Sequence, residues 1–160
     1  MLRPWIQVCR VVAVAATVAV ALSSISPAAA QYLDPRRTWT DRDAQGRRLG
    51  TQEPRSGGGS VLRDPQGRRI GTMEPGPSGT IIERDAQGRR VGVAEPRPGG
   101  GYVLRDAQGR RSSTLEPGPS GTYVQRDAQG RRTGTLEPGP GGSWIERDAR
   151  GRRTGTRKPR

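Results

Sequence analysis

Beyond residue 30 the apolar positions come in short bursts on a fixed count. In one copy, Thr122-Tyr123-Val124-Gln125-Arg126 leads into Asp127-Ala128-Gln129-Gly130, and Arg131-Arg132-Thr133-Gly134-Thr135-Leu136-Glu137-Pro138 follows. Tyr, Val and Thr favour strands and both flanks favour turns, so the pattern predicts two short strands joined as a hairpin. Near-copies of Asp-Ala-Gln-Gly-Arg-Arg begin at Asp43, Asp64, Asp85, Asp106, Asp127 and Asp148, each 21 residues after the last. A fixed period of that size marks one small supersecondary unit copied along an array. The predicted fold is all-β: six hairpin repeats over residues 38–160, forming a curled sheet or a β-solenoid.

The turn chemistry agrees with this reading. Asp at the first turn position accepts a bond from the backbone N–H two residues on, and Gly at the last reaches positive φ without steric cost. A type I turn closed by a left-handed residue requires that pair. The predicted turns are 43–46, 64–67, 85–88, 106–109, 127–130 and 148–151, with Gly46, Gly67, Gly88, Gly109, Gly130 and Gly151 as the left-handed residues. Pro65 occupies the second position of one turn, where type I geometry favours proline. Regular pairing then sets Asp127 opposite Arg131, Arg126 opposite Arg132, Val124 opposite Gly134 and Tyr123 opposite Thr135. On this register one face carries Tyr123, Gln125, Asp127, Arg131, Thr133 and Thr135. The other carries Val124, Arg126, Arg132, Gly134 and Leu136, so apolar residues divide thinly between the two faces. Small residues at Gly50, Gly71, Gly92, Ser113, Gly134 and Gly155 leave gaps for neighbouring side chains. Spacers such as Pro75-Gly76-Pro77-Ser78-Gly79 and Pro138-Gly139-Pro140-Gly141-Gly142 end the pairing and reverse the chain. No helix is predicted after residue 30, since Pro or Gly breaks every window.

The first 30 residues stand outside the repeat. Arg3 and Arg10 precede an apolar run from Val11 to Leu22, and Ala28-Ala29-Ala30 closes the segment. A basic start, a short apolar centre and a small-residue ending make a secretory signal peptide, with cleavage expected after Ala30. The run to Ile25 is shorter than the roughly 20 apolar residues of a spanning helix. Residues 31–37 form a linker, and no transmembrane segment is predicted in the mature chain. The expected location is periplasmic or extracellular.

Cleavage removes Cys9, the only cysteine, and the chain has no histidine. The usual general base and the commonest metal ligands are therefore missing, and no enzyme activity, metal or cofactor is expected. Asp41 and Asp43 begin a calcium-loop-like spacing, but Gln52 stands where the bidentate Glu belongs. With Arg3 and Arg10 gone, the 28 basic and 15 acidic residues leave a net charge of +11 over 130 residues. Lys158 is the only lysine. Arginine grips phosphate and carboxylate bidentately, which points to anionic partners. Arg63–Arg69, Arg84–Arg90, Arg105–Arg111, Arg126–Arg132 and Arg147–Arg153 fall opposite one another, where like charges destabilise. Glu74, Glu116 and Glu137 of adjacent repeats are the counterions on a structural reading. On a functional reading the ten arginines form a basic ladder for an anionic polymer or envelope component. Nucleic acid is not the expected natural partner, because export leads away from it.

The Asp-x-x-Gly-Arg turn at 21-residue spacing resembles the YD-type (RHS) repeats of bacterial surface and secreted proteins, a likeness covering residues 38–160. It implies short hairpins assembled into β-sheet shells. The unit also looks like cell-wall-binding hairpin repeats, which stack as β-solenoids. Neither likeness carries over a ligand or a catalytic residue. The leading expectation is a secreted, non-enzymatic repeat protein with a binding or envelope-structural role. Low hydrophobicity with high charge also fits a disordered basic polypeptide that orders on a partner. A secreted effector or enzyme accessory is the third reading.

Overall fold

Each repeat folds as the hairpin its turn chemistry requires. In the fifth, Gly130 N–H donates to Asp127 O at 3.0 Å and Asp127 N–H to Arg131 O at 2.9 Å. Asp127 Oδ1 accepts from Gln129 N (3.0 Å) and Arg131 N (2.9 Å), and Gly130 takes φ +83°. The other five turns repeat this arrangement, with Gly46, Gly67, Gly88, Gly109 and Gly151 all left-handed.

A computed structural model describes residues 37–160; the signal peptide, its cleavage point and all but the last residue of the linker lie outside the described residues. Twelve strands run through it: β1 (Trp39–Asp43), β2 (Arg48–Pro54), β3 (Ser60–Arg63), β4 (Arg69–Pro75), β5 (Ile81–Asp85), β6 (Arg90–Pro96), β7 (Tyr102–Asp106), β8 (Arg111–Pro117), β9 (Tyr123–Asp127), β10 (Arg132–Pro138), β11 (Trp144–Asp148) and β12 (Arg153–Pro159). Each pairs antiparallel with its sequence neighbours, and β1 pairs with β12. The curled sheet or solenoid expected from the repeat is therefore corrected to a closed barrel. Closure removes both sheet edges, which an open array would leave exposed. Three spacers contain a single 3₁₀ turn, at Pro77–Gly79, Pro119–Gly121 and Pro140–Gly142.

The register explains the closure. Trp39 pairs with Gln52, and Gln52 with Leu62, two residues beyond Ser60, the Trp39 equivalent. Pairing rows thus step two residues per hairpin. The seam keeps the step, since Trp144 pairs with Arg157 and Arg157 with Asp41. Equal strand number and stagger is the ratio of an eight-stranded barrel of shear eight, which tilts the strands about 36°.

The predicted pairing of Arg126 with Arg132 holds, but beyond it the register differs. A bulge between Arg132 and Gly134 sets Gln125 against Gly134, Val124 against Thr135 and Tyr123 against Leu136. Two residues of β10 oppose Arg126, so every later side chain swaps face. Tyr123 and Leu136 therefore point inward together, and Thr135 lies outside with Val124. The same bulge recurs in every hairpin. It gathers one core from residues that straight pairing divides: Trp39, Leu62, Met73, Ile81, Ala94, Leu104, Leu115, Tyr123, Leu136 and Trp144. Tyr123 and Trp144 meet with ring centroids 6.1 Å apart.

Of the predicted small-residue gaps, those at Gly71, Gly92 and Gly155 are approached by neighbouring side chains, whereas Gly50 and Gly134 are approached most closely by backbone. Leu62 Cδ1 would lie 3.7 Å from a Cβ added at Gly71, and such a Cβ at Gly71 or Gly134 would strike the carbonyl oxygen of Arg84 or Arg147. No described helix is long and apolar enough to cross a membrane. The strands, at seven residues or fewer, fall short of the roughly 9–11 that a tilted spanning strand needs.

The turn geometry makes a direct prediction. Nothing lies within 4 Å of a Cβ built at Gly130, so substitution there strains only the backbone. Gly130→Val should cost about 1–2 kcal/mol, because a β-branched residue resists positive φ. Ala128→Pro should be tolerated, as Pro65 is in the second turn. Amide exchange near residue 130 checks this: equal protection in the two variants would refute the turn assignment.

Candidate functional site

All six hairpin turns lie at one end of the barrel and the Pro/Gly spacers at the other. The sequence brings three arginines per repeat toward the turn end, and the structure gives them three different fates.

The first-strand arginines are held on the outer wall. Arg63 Nε donates to Glu53 Oε2 at 2.8 Å, Arg84 to Glu74 at 2.9 Å, Arg105 to Glu95 at 2.8 Å, Arg126 to Glu116 at 3.0 Å and Arg147 to Glu137 at 2.8 Å. Each also donates through Nη1 to the glycine carbonyl of its own turn, at 2.9–3.1 Å. The hydrogen bond from Arg126 is the main reason that the Glu116 carboxyl sits below its usual range, helped by one from Arg97. Glu74, Glu116 and Glu137 are thus the counterions foreseen on the structural reading, joined by Glu53 and Glu95. These arginines brace one hairpin against the previous one.

The arginine directly after each turn glycine belongs to the turn. Arg131 Nε reaches Asp127 Oδ2 at 2.7 Å, and Arg47, Arg68, Arg89, Arg110 and Arg152 bind Asp43, Asp64, Asp85, Asp106 and Asp148 in the same way. The bond from Arg131 holds the Asp127 carboxyl below its ordinary value.

The third set forms the rim. Arg48, Arg69, Arg90, Arg111, Arg132 and Arg153 are all exposed. Arg90 and Arg111 each reach a carbonyl of the next turn, Ala107 O and Ala128 O. Among the described residues, none of the six forms an ion pair with a carboxylate. The predicted ladder therefore splits: Arg63, Arg84, Arg105, Arg126 and Arg147 are neutralised on the wall, while Arg69, Arg90, Arg111, Arg132 and Arg153, with Arg48 added, ring the turn end. Closure turns a linear stripe into a circle.

The interior holds a second group of charges, of which the sequence pointed only to Asp41, and there as the start of a calcium-loop-like spacing. Asp41, Leu62, Glu83, Leu104, Gln125 and Glu146 occupy equivalent inward positions, each opposite a small residue of its own hairpin. Glu83 is 7% exposed, and burial lifts its carboxyl to about 7. Arg157 is fully buried. Its Nη2 donates to Gln52 Oε1, Gln52 Nε2 donates to Ser60 Oγ at 2.9 Å, and the guanidinium lies 4.9 Å from the Trp39 ring centroid. Burial raises the Asp41 carboxyl, opposed by the charge of Arg157 directly across the seam. The legible signal was departure from the repeat: Arg157-Lys158 replaces Leu136-Glu137, and Asp41 replaces Gln125.

A cavity of about 90 Å³ touches Asp41, Glu146, Leu49, Leu62 and Ile70. That is well below the roughly 300 Å³ at which small-molecule sites begin. No protein family, curated protein or solved structure matches this chain.

Two predictions follow from the interior. Arg157→Leu strips Asp41 of its countercharge and should cost about 3–5 kcal/mol. Adding Asp41→Gln should recover most of that loss, because Gln125 and Leu136 fill those places in the fifth repeat. Chemical denaturation checks it: a double variant no more stable than the single one would show that the two charges are not coupled across the seam.

Glu83 faces the same interior as Asp41, Gln125, Glu146 and Arg157. An unfolded Glu titrates near 4.3. Below that value both states hold the proton. As pH climbs toward about 7 only the unfolded state ionises, so stability is lost, and above 7 the barrel carries the buried charge at full cost. Glu83→Gln should therefore stabilise the barrel at pH 8, by on the order of 3 kcal/mol, and do little at pH 4. Equal thermal shifts at the two pH values would contradict it.

Proposed function

We propose that this chain is exported, cleaved after Ala30, and acts as a non-enzymatic binding or envelope-structural barrel that holds an anionic polymer at its turn end. The observation that carries this reading is the rim of Arg48, Arg69, Arg90, Arg111, Arg132 and Arg153, exposed and, among the described residues, in no ion pair with a carboxylate. The wall arginines have a folding role in the ion pairs with Glu53 to Glu137. The rim arginines make no such ion pairs, though Arg90 and Arg111 donate to carbonyls of the next turn, and the mutual repulsion of the six costs stability that an anionic partner offsets. Guanidinium groups on a circle suit a flexible polyanion such as a phosphorylated glycan, which meets several at once. The tripartite start supports an envelope or extracellular setting, where nucleic acid is not the natural partner.

Binding to immobilised heparin at two salt concentrations tests the reading. Contacts of this kind release counterions, so affinity should fall steeply with salt. Replacing the six rim arginines by glutamine should abolish most of the binding while circular dichroism stays unchanged. Replacing Arg63, Arg84, Arg105, Arg126 and Arg147 should instead lower stability, since those side chains brace the wall. Undiminished heparin binding by the rim variant would reject the proposal.

A further inference from the structure

The rim carries an apolar arc that folding does not account for. Leu49 is 40% exposed and Ile70 42% exposed, the large apolar side chains most open to water among the described residues, and Val91 is partly exposed. All three occupy the bulge position, one residue after a rim arginine, on the successive hairpins of β2, β4 and β6. Leu49 also borders the depression between the first and last turns, with Asp43, Arg47, Asp148 and Arg152. In the other half of the ring the same position is Ser112, Thr133 and Thr154. The fold therefore accepts a hydroxyl there, and the aliphatic side chains lie outside the buried core, although Leu49 and Ile70 line the small cavity beside Leu62. They sit between Arg48, Arg69 and Arg90. The spacer end is different: its Arg55 and Arg97 are tied to Glu74 and Glu116.

We propose that the turn end docks on an anionic lipid surface, with Leu49, Ile70 and Val91 entering the boundary between headgroups and acyl chains. Arg48, Arg69 and Arg90 bind lipid phosphates beside them, and the remaining rim arginines lie over the headgroups. This inference rests on the rim as an anion-binding surface and names the surface it meets. A soluble polyanion makes no use of exposed leucine and isoleucine, whereas membrane attachment by a peripheral protein combines an apolar insertion with a basic patch, neither sufficient alone. The insertion is one-sided, so the barrel axis tilts toward β2, β4 and β6. The attachment is peripheral, since the ion-paired outer wall stays in water.

Sedimentation with vesicles tests it, using equal parts phosphatidylglycerol and phosphatidylcholine, or phosphatidylcholine alone, with heparin binding measured in parallel. The parent should sediment with the anionic vesicles only. Leu49→Ser combined with Ile70→Thr and Val91→Thr, residue types the other three hairpins already carry, should weaken vesicle binding about tenfold and leave heparin binding intact. Ser112→Val with Thr133→Ile should strengthen vesicle binding, which keeps the test open should the first variant fold poorly. Heparin binding without vesicle binding, or vesicle binding indifferent to both variants, would overturn the inference and leave the polymer reading standing. Vesicle binding without heparin binding would support the lipid surface and remove the polymer. Binding to neither would remove both.

Discussion

The extra residue that each second strand carries opposite its first-strand arginine directs every side chain beyond it. Without that bulge, Leu136 and Tyr123 would face opposite ways, and no face of the sheet would hold enough apolar surface to stay dry. With it, the two fall on one side in register, Gly134 lies under Gln125, and Thr135 and Glu137 pass to the outer wall. A one-residue shift reverses a strand's whole pattern because its side-chain period is two. The bulge also adds right-handed twist, which favours a sheet that coils and closes.

This is where the sequence stopped being legible. The turns could be read residue by residue, because Asp and Gly act locally: one accepts two backbone bonds and the other takes a backbone angle that L-residues avoid. Arg126 opposite Arg132 could be counted from the turn. Nothing in Thr133, Ser112 or Leu49 announces an unpaired residue, so regular pairing carried the count one place out from there. The apolar residues then looked too scattered for a core, and closure could not be seen. Closure is a long-range property, set by the two-residue step per hairpin and by how many hairpins the ring holds. The interior charges were readable in principle. Aligning the copies shows Asp41, Glu83 and Glu146 in one column with Leu62 and Leu104, but only the correct face turns that column into a buried layer.

Identical repeats raise a problem of specification. Any second strand could pair with any first strand, giving rings of other sizes or chains joined end to end. The terminal copies differ where this matters. Asp41 and Arg157 face each other across β1 and β12, Trp39 covers the guanidinium, and Gln52, which itself donates to Ser60, accepts from its Nη2. A Leu in place of Arg157 packs against any hairpin, whereas a buried guanidinium is tolerated only beside its own counterion. A buried charge pair of this kind adds little net stability, yet removing either partner alone is strongly destabilising. On the outside the same seam places Lys158 where other repeats have a Glu, and Arg42 donates to Gly46 O.

The arginines show how one residue type, copied with the repeat, is divided by geometry. Duplication alone explains their number, and their number alone says nothing about function. The wall arginines are consumed by Glu53, Glu74, Glu95, Glu116 and Glu137, and the turn arginines by six aspartates. Among the described residues the only further acids, Asp41, Glu83 and Glu146, face the interior, so the rim arginines are left without one at their end. A linear array would spread that excess along an edge. The ring gathers it on a single face, and the positions between those arginines are where the copies diverge, aliphatic in three hairpins and hydroxylated in three. The same hairpin forms with either kind of side chain. The asymmetry of the rim is thus the part of this chain that neither duplication nor the stability of the barrel explains.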